Sequence, residues 1–195
     1  MKRRLNDDEK EEAAEDEEIK QRRNKVFFYG EVNRKNVSLL VEKLESACDH
    51  ILLNSGTHIE LFIHSEGGDA YAGLSAMNHI QTCRVPVHCV ADGIVASAAT
   101  FLLLGGTKRL AMQHASVLIH QLSTGFWGKF VDLQDELKNS EQLMNIFYDI
   151  YSTQTTMKSK KINSILKKEL TMTTAECLKN GIVEAIYSPQ LPVRL

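Results

Sequence analysis

Apolar residues fall along this chain in short blocks of two alternating kinds. Continuous or β-branched runs at residues 25–30 (Lys25-Val26-Phe27-Phe28-Tyr29-Gly30), 59–64, 85–90, 109–112 and 116–120 are of strand length. Between them, apolar positions recur at helical spacing, as in residues 36–54 with Val37, Leu39, Leu40, Val41, Leu44 and Cys48. The same period predicts helices over 74–82, over the wholly apolar run after Ser97, and over 132–155, 162–168 and 174–180. Thr173 or Thr174 is placed to N-cap the last of these and Gly181 to close it, before a short strand over 182–187. Strands that alternate with helical segments imply crossover connections and a largely parallel sheet, hence an α/β fold. The helix over 132–155 carries apolar residues around much of its surface, more than one small domain needs to cover its own sheet. Part of it is expected to meet another subunit.

Composition adds bounds. At 195 residues, 43% hydrophobic and 25% charged, the chain suits one domain with a sizeable core. Residues 1–24 carry almost no large apolar side chains and two acidic runs, and are expected to form a mobile charged tail. The folded domain then spans 25–187, with a C-terminal tail over 188–195. A net charge of −2, with no basic patch interleaved with aromatics, points away from nucleic acid and anionic membranes. No apolar run reaches the roughly 20 residues of a membrane span, and the N-terminus is charged, so a cytoplasmic protein is expected. Cys48, Cys83, Cys89 and Cys177 lack metal-ligand spacing and lie in apolar segments, where they read as reduced, buried thiols; no metal site is expected.

Chemistry concentrates at the ends of strands. Ser97 stands between small residues, at the start of the apolar run Ala98 to Leu104. There it is either the N-cap of a core helix or a nucleophile aided by free N–H groups. The turn Ser65-Glu66-Gly67-Gly68 lets backbone approach a ligand, or is simply a tight strand-to-helix turn. Of seven histidines, His120 ends a strand and begins a loop, where an imidazole can be fixed from behind and reach a cleft in front. His64 is at most a wall residue.

The residues themselves resemble the caseinolytic protease proteolytic subunit family, ClpP. The glycine-to-apolar block 93–106 around Ser97, Val117-Leu118-Ile119-His120-Gln121, the turn 65–68 with Ala72-Gly73, and the closing Gly181-Ile182-Val183-Glu184 follow the family's motifs in order. The resemblance implies a ClpP/crotonase-like spiral of βαβ units with a protruding handle helix, the segment from Asp132. It further implies a heptameric ring stacked into a barrel, and serine endopeptidase sites that cut polypeptide substrates without metal or organic cofactor. Ser97 would be the nucleophile, His120 its base, and Glu169 the orienting acid where the family has aspartate. The N–H groups of Gly68 and Ala98 would form the oxyanion hole, and Gly125, Phe126 and Trp127 would pair with the substrate backbone. Glu66 stands in place of a proline, Glu60 in place of a docking-cleft aromatic, and the N-terminal tail is charged. An AAA+ ATPase partner is accordingly expected to be absent or unusual. The alternative is a catalytically weak or inactive ring subunit serving assembly; an acyl-CoA enzyme of the crotonase type ranks below both.

Overall fold

The computed structural model describes residues 18–188. Its strands are β1 (Ile19–Arg22), β2 (Lys25–Phe28), β3 (Ile59–Ser65), β4 (Val87–Ala96), β5 (Lys108–Ala111), β6 (Ser116–Leu118), β7 (Met172–Thr173) and β8 (Ala185–Ile186). Its helices are α1 (Arg34–Leu53), α2 (Ala70–Gln81), α3 (Ala99–Leu104), α4 (Phe130–Gln154), α5 (Ser159–Leu166) and α6 (Thr174–Lys179). The strands form one sheet in the order β1-β2-β3-β4-β5-β8, while β6 pairs with β4 and carries β7 beside it. All pairings are parallel except β1 with β2 and β6 with β7. The α/β fold read from the alternating blocks is the one observed.

Both faces of the central strands are apolar, as a parallel sheet requires. Leu61, Ile63, Cys89 and Ala91 join the main core beneath α1, α2 and α3. Phe62, Val90 and Leu110 alternate to the opposite face, where Phe27 and Tyr187 cover them. There Glu60 pairs with Lys25 at 3.1 Å and accepts a hydrogen bond from Tyr187 Oη at 3.0 Å, so its carboxylate has partners on this interior strand.

Helix starts follow local capping chemistry. Asn33 Oδ1 accepts from Asn36 N–H at 2.9 Å at the head of α1, and Asp69 Oδ1 accepts from Ala72 N–H at 2.8 Å at the head of α2. The Asp69 cap is why α2 begins four residues before the apolar period reveals it. Thr173 caps α6 with Glu176 reaching back to it, a capping box.

Two expectations are corrected. Residues 18–24 are not tail: β1 turns through Arg23 into β2, and Ile19, 2% exposed, is driven into the core despite its charged neighbours. The rest of the expected N-terminal tail and residues 189–195 lie outside the described residues. Secondly, β4 does not stop at Val90 but runs to Ala96. Its first half pairs with β5 and its second half, Ile94 to Ala96, with β6, so the small residues before Ser97 are ladder positions.

Candidate active site

Ser97 terminates β4 and immediately precedes α3. Its φ of +54° lies in the left-handed region that non-glycine residues seldom occupy, a strain held only where surrounding contacts over-determine it. Those contacts are present. Ser97 N–H donates to Leu118 C=O at 2.9 Å, and Ser97 C=O accepts from Thr100 N–H at 3.0 Å and from Thr100 Oγ1 at 2.6 Å. The result is a sharp strand-to-helix turn that exposes the hydroxyl at the sheet's end.

The glycine turn presses on it. A Cβ on Gly67 would stand 2.6 Å from Ser97 Cβ and 2.7 Å from Ala96 C=O, so only glycine fits. Val32 stitches the turn down by donating to Gly67 C=O at 2.8 Å and accepting from Asp69 N–H at 2.7 Å. Among the described residues no acceptor is paired with the N–H of Gly68 or of Ala98. Two free backbone donors therefore stand beside the serine.

His120 follows β6 by two residues, behind the buried Ile119 and ahead of Gln121, whose N–H is fixed to Leu166 C=O at 2.9 Å. Its Nδ1 faces Glu169 Oε1 at 3.2 Å. Glu169 is in the loop after α5, and its side chain is 71% exposed against 18% for the imidazole, so the carboxylate orients the ring from the solvent side. Ser97, His120, Gly68 and Ala98 line one cleft of ≈ 590 Å³ with Glu66, which faces into it. Ser97 Oγ and the His120 ring share this cleft without a hydrogen bond between them among the described residues.

The expected substrate-pairing residues are displaced along the chain. Leu122, Ser123 and Thr124 line the cleft, whereas Gly125, Phe126 and Trp127 run beyond it, Trp127 being 98% exposed. Where the segment leaves the cleft depends on the anchors at Gln121 and at Leu122, whose N–H meets Met144 Sδ at 3.1 Å. His64 lies outside the cleft lining; its Nδ1 meets the Asp92 carbonyl at 3.0 Å.

Sequence reasoning missed the cleft's apolar wall. Phe101 of α3 and Leu143, Phe147 and Tyr151 of α4 line it. Phe101 and Phe147 pack with ring centroids 4.9 Å apart, and Tyr151 Oη meets Thr100 Oγ1 at 2.7 Å. Burial drives the Tyr151 phenol well above its usual range, so it stays protonated at neutral pH. Thr100 thus links α4 to the Ser97 carbonyl. The i, i+4, i+8 spacing of Leu143, Phe147 and Tyr151 was visible as an apolar stripe, but a stripe does not say what it faces.

Fold and cleft together define an α/β protein whose serine, imidazole and carboxylate converge at the end of a parallel sheet. The chain belongs to the Clp protease family, whose family model matches residues 9–190. It is 30% identical over 135 residues to an ATP-dependent Clp protease proteolytic subunit of Deinococcus radiodurans, covering 68% of this chain and 66% of that protein. It is 28% identical over 166 residues to ATP-dependent Clp protease proteolytic subunit 1 of Borreliella burgdorferi, covering 83% and 82%. Among the described residues no helix is long and apolar enough to cross a membrane.

Proposed function

We propose that the chain is a serine endopeptidase acting through Ser97, His120 and Glu169. The observation that carries this reading is the Glu169–His120 contact at 3.2 Å, which backs an imidazole that shares its cleft with a strained serine and two unpaired N–H groups. With Nδ1 turned to Glu169, the imidazole presents Nε2 towards the serine side. His120 takes the Oγ proton as Ser97 attacks a peptide carbonyl, and the developing oxyanion is received by the N–H groups of Gly68 and Ala98. The imidazolium, steadied by Glu169, then returns the proton to the leaving amine. Water repeats the sequence to release the acyl group.

The peptide enters along Leu122 to Thr124, where it pairs as an added strand beyond the Leu122 anchor, and rests an apolar side chain against Phe101, Leu143 and Phe147. Closure of the Ser97–His120 hydrogen bond accompanies substrate binding or assembly. The assembly is a ring stacked into a barrel. It is supported by Phe130, Val131, Leu133 and Leu137 on the first half of α4, large apolar side chains each at least 44% exposed in the single chain. Both relatives are named as proteolytic subunits of an ATP-dependent protease, and a partnership with an ATPase is part of the same proposal.

A fluorophosphonate probe tests the chemistry. The assembled wild type is expected to be labelled at Ser97 and the Ser97→Ala variant to stay unlabelled; an unlabelled wild type overturns the reading. Sedimentation at a single-chain mass would overturn the barrel.

A further inference from the structure

Away from the cleft, two of the four cysteines meet. Cys48 lies on the buried face of α1, 1% exposed, and Cys83 follows α2 half-buried. Both line one surface pocket of ≈ 220 Å³ between these helices, together with His79, Thr82 and Arg84. The two side chains open onto the same pocket, and the Arg84 guanidinium is within electrostatic reach of both thiols. Arg84 is held there by Asp49 at 2.7 Å. The other two thiols are each spent on a backbone carbonyl: Cys89 Sγ donates to Leu102 at 3.3 Å and Cys177 Sγ to Met172 at 3.7 Å.

We propose that Cys48 and Cys83 form a thiol–disulfide exchange site that takes a low-molecular-weight disulfide as co-substrate and closes to an intramolecular disulfide. Cys83, reachable through the pocket, loses its proton and attacks one sulfur of the reagent, breaking the reagent's S–S bond and releasing one thiolate. Cys48 then loses its proton, attacks Cys83 Sγ and expels the second thiolate. The two protons end on the two released thiols; the protein is oxidised by two electrons and the reagent reduced by two. Burial pushes the Cys48 thiol up, and Cys83 adds to this while Arg84 opposes it, so Cys48 is the resolving rather than the attacking sulfur.

The bond ties α1 to the C-terminal end of α2. The other end of α2 begins at Asp69, in the turn that carries Gly68. Oxidation therefore stiffens the helix pair behind the glycine turn without touching a residue of the cleft.

The full-length reduced protein, treated with glutathione disulfide, alkylated and mapped by non-reducing peptide mass spectrometry, tests this. The expected result is one linked peptide pair containing Cys48 and Cys83, and a thermal midpoint raised by roughly 5–10 °C and restored by reductant. Cys48→Ala is expected to stop at a glutathione adduct on Cys83, and Cys83→Ser to leave Cys48 unmodified. No modification of the wild type, a lasting glutathione adduct on its Cys83, or a link through Cys89, Cys177 or a second chain would each overturn the proposal. The wild-type map decides the matter even where the Cys48 variant does not fold.

Discussion

Ser97 is enclosed by contacts of the sheet itself, whereas His120 arrives on a loop and is steadied by a carboxylate that is mostly in water. On the serine side, β6, α3 and the glycine turn each fix the backbone, and a single added methyl at Gly67 would collide with Ser97. On the histidine side, the polar side-chain contact among the described residues is with one exposed carboxylate. The difference teaches that the fold commits Ser97 and the two free N–H groups in advance, while the His120 ring is held by one solvent-side partner; on the proposed reading, that leaves the base free to settle when substrate or a neighbouring subunit arrives.

Four substitutions probe that contrast. The largest effect is expected from His120→Ala, which should lower kcat of peptide hydrolysis by about 10³–10⁴-fold while leaving the thermal midpoint within a few degrees, because the ring lines the cleft wall. Gly67→Ala should act on the other half in the opposite style. It should cost about 2–4 kcal/mol of stability, read by denaturant unfolding, and abolish fluorophosphonate labelling at the same time. Equal losses of stability in these two variants would erase the contrast. Glu169→Gln keeps size and removes charge, and should lower kcat by roughly 10–100-fold with KM little changed, less than a buried orienting acid would give. Tyr151→Phe deletes the hydroxyl that meets Thr100. It should cost about 1 kcal/mol, a midpoint fall of roughly 2–4 °C, with turnover nearly intact.

What was legible in the sequence tracks the same division. Ser97, Gly68 and Ala98 sit beside elements whose chemistry is local: a small-residue strand end, a double glycine and an apolar helix start. His120 was legible as the end of a strand, and Glu169 only by position relative to the family's motif, since its partner is about fifty positions away in sequence. The expected stop at Val90 was wrong because Ala91 to Ala96 carry little of the bulk that marks a strand; their extension comes from pairing with β6. The hairpin at Ile19 was hidden by charge, one apolar residue in an acidic stretch being too weak a signal for a strand that depends on β2 as its template. Gly125 to Trp127 were expected against the substrate only through the family resemblance, whereas in the single chain the tie from Gln121 to α5 brings the preceding residues to the cleft.

If Ser97 is the nucleophile proposed above, its left-handed backbone also restricts which nucleophiles evolution could have tried there. A branched β-carbon is a severe outlier at φ +54°, so threonine, though a competent nucleophile elsewhere, is closed to this position. Cysteine has the same unbranched β-carbon as serine and remains open. The turn thus leaves the lineage free to exchange oxygen for sulfur but not to add a methyl group.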